Sequence, residues 1–281
     1  MNSKQTKKRH VYFSGRKSKK KGRLVINASN SSCKYLQFKY LKLKKNATVT
    51  HCFQKLDSII VLLKGRIHIT VDGQPFTLGP RKDVFSAKSS SIYIPRKHPF
   101  LVKAQGVGVE IALINTPLRN RRFKKVTIAQ SKQVSVKTVG RGTYRRKVHT
   151  LFPYVTRPKK KAQKGMGNNA YILVGETFNE AGKWSSFPPH RHAYNKLPHE
   201  SQYEEIYFCK VVPEDGFGFI RIYDKKKKST ERVYCIKNND CFVVTHGYHP
   251  VCAAPGCQVY YLWALAGRHG TVINAYDPVF L

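Results

Sequence analysis

The sequence predicts an all-β protein built from two small jelly-roll barrels in tandem. Short runs in which apolar and polar residues alternate follow one another along the chain, and this alternation is the period of a half-buried strand. No segment keeps the period of an amphipathic helix. Turn signals such as Lys64-Gly65 and Asp72-Gly73 stand at the ends of these runs.

The first predicted barrel covers residues 25–118. Its strands are predicted at 36–44, 58–63, 67–71, 91–95 and 109–115. The unit contains His51 and His68 but no His-x-His pair and no matching acid. We therefore expect this barrel to bind no metal.

The second predicted barrel covers residues 169–281. Its strands are predicted at 169–174, 205–210, 218–223, 232–236, 241–245 and 259–264. Residues 119–168, interrupted by Pro153 and Pro158, are predicted to be a basic connecting segment with a strand or two, and residues 1–24 a basic, flexible tail. A small barrel encloses a cavity walled by alternating inward side chains, which suits one metal and a small ligand.

The composition indicates a folded intracellular protein. A hydrophobic content of 41%, with 16 tyrosines and 15 phenylalanines, supplies packed cores and excludes a disordered chain. We find no apolar run long enough to span a bilayer, and none that follows the basic N-terminus as in a signal peptide. Seven cysteines without a Cys-x-x-Cys pair indicate reduced thiols, so we expect a cytoplasmic location and no membrane partner.

The charge balance predicts an anionic partner. The chain has 52 Lys and Arg against 15 Asp and Glu, a net charge of +37. Basic runs at 119–125, 158–161 and 225–228 fall where turns or linkers are expected, and Phe123 alone interleaves an aromatic ring. Because base-stacking platforms are missing, we interpret the basic runs as a solvated, lysine-rich surface, and nucleic acid stays as an alternative partner. The sequence leaves the oligomeric state open.

A metal site is the most specific prediction. His190 and His192 are separated by one residue, so on a strand both side chains point to the same face. In the strand that follows, Glu205 alternates with Glu204, and Glu205 shares its face with the aromatic Tyr207. His249, 44 residues beyond Glu205, is the fourth candidate ligand. Three imidazoles and a carboxylate suit zinc or manganese, and also iron, nickel or cobalt.

Several of these stretches resemble the 5-deoxy-glucuronate isomerase family, the bicupin enzymes of inositol catabolism. They are Trp-Ser-Ser-Phe-Pro-Pro-His-Arg-His at 184–192, Leu-Pro-His-Glu-Ser-Gln-Tyr-Glu-Glu-Ile-Tyr at 197–207 and Gly-Tyr-His-Pro at 247–250. The similarity extends upstream to the stretches at 173–176, 140–149, 79–85, 71–73 and 61–65, so it covers nearly the whole chain after residue 24. The sister family of 5-keto-4-deoxyuronate isomerases shares the fold and ligands but lacks the insertion before the glutamate.

The resemblance implies a bicupin whose metal ligands are His190, His192, Glu205 and His249. It also implies an aldose–ketose isomerase that converts 5-deoxy-D-glucuronate, a small anionic sugar acid, to 5-dehydro-2-deoxy-D-gluconate. The chain departs from the family pattern where Ala193 replaces an acid and where Ile220 replaces a glutamine. These departures concern substrate contacts, not the predicted ligands.

The residue that moves the proton is left open by the sequence. Tyr207, Glu204 and Tyr261 are the candidates for general acid–base work. Arg221 and Tyr223 share a strand face, and Arg221 is predicted to bind the substrate carboxylate. Two other functions remain open: a non-catalytic cupin that binds polyanions, and an iron-dependent dioxygenase.

Overall fold

A computed structural model describes residues 11–15, 23–119, 123–153, 166–167, 171–225 and 231–281. Within these residues the structure is almost entirely β, as predicted. The strands of the first half are β1 (Tyr12–Phe13), β2 (Arg23–Ile26), β3 (Gln37–Leu43), β4 (Thr48–His51), β5 (Asp57–Val71), β6 (Gln74–Arg81), β7 (Ser91–Ile94), β8 (Phe100–Ala104), β9 (Val109–Thr116) and β10 (Thr127–Ala129).

The second half continues the pattern, with single 3₁₀ turns at Ser131–Gln133, Gly142–Tyr144 and Pro278–Phe280. Its strands are β11 (Ser135–Val139), β12 (Arg146–Phe152), β13 (Met166–Gly167), β14 (Ile172–Asn179), β15 (Trp184–Ser185), β16 (His190–Arg191), β17 (Glu204–Val212), β18 (Gly218–Ile222), β19 (Arg232–Ile236), β20 (Cys241–Val244), β21 (Val251–Ala253), β22 (Gln258–Ala266), β23 (Thr271–Val272) and β24 (Ala275–Tyr276).

The first barrel is organised by the long strand β5. Its first half pairs with β7 and β9, and its second half pairs with β6 and β8. A register irregularity around Gly65, whose φ is +88°, separates the two halves and bends the strand from one sheet into the next. The interior is filled by apolar side chains such as Ile60, Leu62 and Ile69.

The second barrel contains the predicted site strands. One wall is a seven-stranded sheet with the order β1-β20-β17-β22-β14-β12-β11, and the other is a four-stranded sheet with the order β15-β21-β18-β19. Alternate residues of β17 divide between two apolar clusters. Tyr207 and Cys209 pack inside this barrel, whereas Ile206 and Phe208 pack on its outer side against the first barrel.

The two barrels share one buried apolar layer. Phe208 stacks on Phe38 and Tyr40 of β3, with ring centroids 5.7 and 4.8 Å apart. The same layer contains a buried ion pair, because Arg81 Nη1 of β6 lies 2.7 Å from Glu176 Oε1 of β14. The barrels therefore cannot separate without exposing apolar rings and a buried charge pair.

The structure differs from the predicted division of the chain. The segment 119–168, predicted to contain a strand or two, contributes to both barrels, since β10 pairs with β7 of the first barrel and the β11–β12 hairpin extends the large sheet of the second. Within the predicted tail, Tyr12–Phe13 pairs with β20. The reason is that the edges of β7, β14 and β20 carry backbone groups that need hydrogen-bond partners.

Several predictions concern segments beyond the described residues. They are the basic residues at 7–9 and 16–21 of the predicted tail, residues 120–122 of the run at 119–125, the lysines at 159–161, and most of the run at 225–228. Among the residues that are described, no helix is long and apolar enough to cross a membrane.

Candidate metal centre

Three predicted ligands converge inside the second barrel. The ligand atoms of His192, Glu205 and His249 all lie within 4.8 Å of one another, and all three residues are buried. Glu205 Oε2 is 3.1 Å from His192 Nε2 and 3.3 Å from His249 Nε2. Glu205 is on β17, while His192 follows β16 and His249 precedes β21, so rigid sheet and short loops hold the three together.

Backbone carbonyls fix both imidazoles. His192 Nδ1 lies 2.9 Å from the carbonyl of Tyr203, and His249 Nδ1 lies 3.1 Å from that of Gly247. Each Nδ1 therefore donates its proton to a carbonyl, and each Nε2 faces Glu205. Gly247 has φ +77°, and an added Cβ would lie 2.7 Å from the Tyr223 carbonyl, so this turn requires glycine.

The cluster perturbs the acid strength of its members. Burial alone would raise the pKa of Glu205, but the imidazoles of His192 and His249 outweigh it and lower the pKa to about 2. Burial alone would lower the pKa of His192, but the hydrogen bond and charge of Glu205 outweigh it and raise the pKa. Glu205 is thus held as a carboxylate.

These residues fit a divalent cation. His249 Nε2 is fully buried and has no hydrogen-bond partner, although a carboxylate oxygen lies nearby. Burying a ring nitrogen without a hydrogen-bond partner costs free energy unless a bound group occupies the space in front of it. Two imidazole nitrogens and a carboxylate are donors that first-row divalent metals accept.

His190 lies beside this group and outside the set of three. Its ring centroid is 4.9 Å from that of His249 and 6.3 Å from that of His192. Burial, followed by the two neighbouring imidazoles, lowers the pKa of His190 to about 3, so it is neutral and able to donate a lone pair. Its two-residue strand β16 pairs with β24, opposite Tyr276.

A chain of hydroxyl groups adjoins the cluster. Ser186 Oγ lies 3.1 Å from the hydroxyl of Tyr207 and 3.4 Å from that of Tyr261, and both tyrosines are buried. The Tyr207 ring centroid is 6.0 Å from that of His249. Ser186 has φ +50°, a conformation that non-glycine residues rarely adopt, and sequence reasoning gives no signal for its role.

Glu204 faces away from the cluster, contrary to its prediction as a general acid–base candidate. Its carboxylate accepts hydrogen bonds from the backbone N–H groups of Lys34 and Tyr35, at 2.7–2.9 Å, in the first barrel. Adjacent strand residues point to opposite faces, so Glu204 ties the barrels together while Glu205 enters the cavity.

Arg221 is also misplaced for the role predicted for it. It lies on the exposed face of β18 and pairs with Glu231 at 2.8 Å, with 43% of its side chain exposed. Inward positions of that strand belong to Ile220 and Ile222. Tyr223 stacks under the Arg221 guanidinium and donates to Asp277 at 2.6 Å, so the structure does not bring this pair to the cluster.

The structure shows what surrounds Ala193 and Ile220, the two residues that depart from the family pattern. Ala193 is buried, and its N–H donates to Glu200 at 2.7 Å, so Glu200 supplies a carboxylate to the loop after His192. Ile220 is fully buried in the second barrel, where an amide would place a polar group. In the first barrel, His68 bonds Thr77 and His51 stacks on Phe53.

Sequence comparisons relate nearly the whole chain to one family. Residues 11–280 match the model of the KduI/IolB family. The 5-deoxy-glucuronate isomerase of Halalkalibacterium halodurans is 33% identical over 244 residues, covering 86% of this chain and 85% of the relative. That of Geobacillus kaustophilus is 33% identical over 246 residues, covering 87% of this chain and 84% of the relative.

Solved structures give the same relation at the level of fold. An IolB-like protein from Salmonella typhimurium LT2 superposes with a TM-score of 0.83 at 25% identity, covering 96% of this chain and 98% of that one. A point mutant of the oxalate decarboxylase of Bacillus subtilis superposes with a TM-score of 0.60 at 12% identity, covering 95% of this chain and 79% of that one. At that identity the second likeness supports the bicupin fold alone.

Proposed function

Because the chain belongs to the KduI/IolB family, we propose that it is a metal-dependent aldose–ketose isomerase that acts on 5-deoxy-D-glucuronate. The family resemblance read from the sequence is confirmed by the match over residues 11–280. The observation that carries the chemical part of the proposal is the buried convergence of His192, Glu205 and His249. The relatives named 5-deoxy-glucuronate isomerase supply the substrate of the proposal.

The reaction would move a proton between adjacent carbons and a carbonyl in the opposite sense. His192, Glu205 and His249 would hold the ion, with His190 beside them as the fourth candidate. A bound divalent ion supplies Lewis acidity that favours loss of the C–H proton. Zinc or manganese suits this donor set, with iron, nickel or cobalt open, and the oxalate decarboxylase of B. subtilis, which shares the fold, has Mn(II) centres.

The protein's own groups would bind the substrate and move its proton. Tyr207 and Tyr261 face the interior of the second barrel, and Ser186 connects their hydroxyls. These three groups can hold a proton donor and acceptor within reach of a substrate oxygen. The buried setting excludes water from a reactive enediolate.

The adjacent acids Glu205 and Glu204 provide a matched test. We expect Glu205→Gln to lose the stoichiometric metal and the isomerase activity, because the carboxylate is the anionic donor of the cluster. Glu204→Gln should retain both, and should lose stability instead, because three hydrogen bonds from the first barrel end on that carboxylate.

The measurements are metal content after reconstitution, a coupled assay with 5-deoxy-D-glucuronate, and thermal unfolding. A folded wild-type protein that takes up no stoichiometric divalent metal would contradict the proposal. Oxygen consumption with the same substrate would instead favour the dioxygenase alternative.

A further inference from the structure

Strand register places Arg146 on the inner face of the second barrel. Val148 lies opposite Thr177, and Thr177 lies opposite Tyr261, so these three side chains share one face of the large sheet. Tyr261 packs inside the barrel. Arg146 is two residues from Val148 on β12 and therefore projects to the same face.

The guanidinium of Arg146 is anchored next to the hydroxyl chain. Its Nη1 donates to the carbonyls of Tyr144 and Phe187, each at 3.0 Å. Phe187 directly follows Ser186, which contacts the Tyr207 hydroxyl. The arginine is thus tied to the segment that leads from Ser186 to His190.

No carboxylate of the described residues pairs with Arg146. Arg81, Arg96 and Arg191, which are also partly or fully buried, pair with Glu176, Asp57 and Glu200 at 2.7, 2.9 and 3.2 Å. In Arg146 both Nη1 protons are used by the two carbonyls. The remaining edge, formed by Nε and Nη2, is the edge that matches a carboxylate in a bidentate pair.

The barrel wall beside Arg146 is polar, and it contains a buried hydroxyl group without a hydrogen-bond partner. Ser185 is fully buried, and its Oγ has no hydrogen-bond partner. Ser186 Oγ lies 3.4 Å from the Tyr261 hydroxyl, and Ser185 directly precedes Ser186 in the chain. Burial raises the pKa of Tyr261, and the positive charge of Arg146 is among the influences that act against this rise. An unsatisfied hydroxyl in an enclosed wall is the setting expected for a ligand that carries hydroxyl groups.

We propose that Arg146 binds the carboxylate of the sugar acid, with Ser185, Ser186 and Tyr261 facing the hydroxyl-bearing carbons between that carboxylate and the metal centre. This assignment rests on the proposed isomerase function and deepens it. It replaces Arg221, whose guanidinium is exposed and already paired with Glu231. It gives the barrel selectivity for an acid over a neutral sugar.

The test compares Arg146→Gln with Arg221→Gln, the same substitution at the solvent-facing arginine. With 5-deoxy-D-glucuronate, Arg146→Gln should raise KM about tenfold or more, as expected for loss of charge-assisted hydrogen bonds, and Arg221→Gln should leave KM unchanged. Arg146→Lys should raise KM less than Arg146→Gln does, because lysine keeps the positive charge but lacks the paired N–H groups of the guanidinium. Metal content and thermal midpoint verify that each variant is folded and loaded.

A binding measurement separates this inference from the isomerase proposal. Calorimetry with glucuronate and with glucose, its neutral counterpart, should show a preference for the acid that disappears in Arg146→Gln. If that preference is found in a wild-type protein that does not isomerise 5-deoxy-D-glucuronate, the isomerase proposal fails and the role of Arg146 stands. If Arg146→Gln weakens both sugars equally, or if its KM is unchanged, Arg146 only braces the hairpin and the inference is overturned.

Discussion

At the scale of single residues, the two buried tyrosines of the cavity have different neighbours. Tyr207 is two residues from Glu205 and its ring centroid is 6.0 Å from that of His249, whereas Tyr261 is influenced by the charge of Arg146. Their rings are in contact, with centroids 4.5 Å apart. Of the two hydroxyls, that of Tyr207 is therefore better placed to exchange a proton with a substrate oxygen at the metal centre.

We expect Tyr207→Phe to lower kcat about a hundredfold or more, the usual contribution of a positioned acid or base, while metal content stays unchanged. The ring remains, so the packing against Tyr261 is kept. Tyr93→Phe is the matched control, because Tyr93 is also buried and its hydroxyl bonds Asp57 at 2.8 Å, but it lies in the first barrel. Steady-state kinetics with an unchanged kcat for Tyr207→Phe would exclude this role.

Strand parity explains which residues of the site can be predicted from the sequence. The aromatic at 207 marks the inner face and so selects Glu205 over Glu204, and the structure places the two acids accordingly. On β18 the same alternation offers Arg221 and Ile220 on opposite faces. The prediction that Arg221 points inward rests on its expected function and not on the apolar pattern of the strand. Ser186 and Arg146 cannot be predicted, because their roles depend on backbone geometry and on strand pairing across the barrel.

At the scale of secondary-structure elements, the hairpin of β11 and β12 shows why the predicted connecting segment differs from the structure. All five residues of β11 are exposed, so the strand lacks the apolar alternation that marks a half-buried strand. It is held by backbone pairing with β12, which in turn pairs with β14. Sequence periodicity predicts strands that bury one face of their side chains, and it does not detect an exposed edge strand of this kind.

The contact between β6 and β14 carries a buried charge network. Glu176 is fully buried and accepts from Arg81 at 2.7 Å and from the Tyr260 hydroxyl at 2.9 Å. Burial alone would raise the pKa of Glu176, but the charge of Arg81 outweighs it and the pKa is lowered. The carboxylate therefore stabilises the joined barrels above its ordinary pKa of 4.5, and that stabilisation is lost as the pH falls through the lower folded value.

We expect Glu176→Gln to lower the free energy of unfolding at neutral pH by about 3–5 kcal/mol, because it leaves Arg81 buried without a counter-charge. The difference from wild type should shrink as the pH falls below 4.5, where the carboxyl group of the unfolded chain takes up a proton, and should be lost once the pH has passed the lower folded pKa. Denaturant unfolding at several pH values measures both effects. Glu180→Gln, which removes an exposed acid paired with Lys183, should change stability little. A difference that stays constant with pH would contradict the assignment.

At the scale of the whole molecule, the net charge of +37 gives the protein a positive field. A basic cavity of about 610 Å³ lies apart from the metal centre, lined by Leu118, Arg119, Lys124, Tyr171 and Arg268. Three of these five residues are cations and none is an acid, so the cavity suits an anion. The charge could thus serve capture of a small sugar acid, or it could serve the alternative of nucleic-acid binding.

Ionic strength separates these two uses of the charge. If the field gathers the anionic substrate, kcat/KM should fall as salt rises from about 0.01 to 0.15 M, because the Debye length shortens from about 30 to 8 Å, while kcat stays constant. Duplex DNA should then bind only at low salt, since its attraction to a basic surface without base contacts is screened in the same range. Retention of DNA binding at about 0.15 M, including by His190→Ala, would favour the polyanion function. A kcat/KM independent of salt would show that the local charge of Arg146, and not the general field, is what the substrate meets.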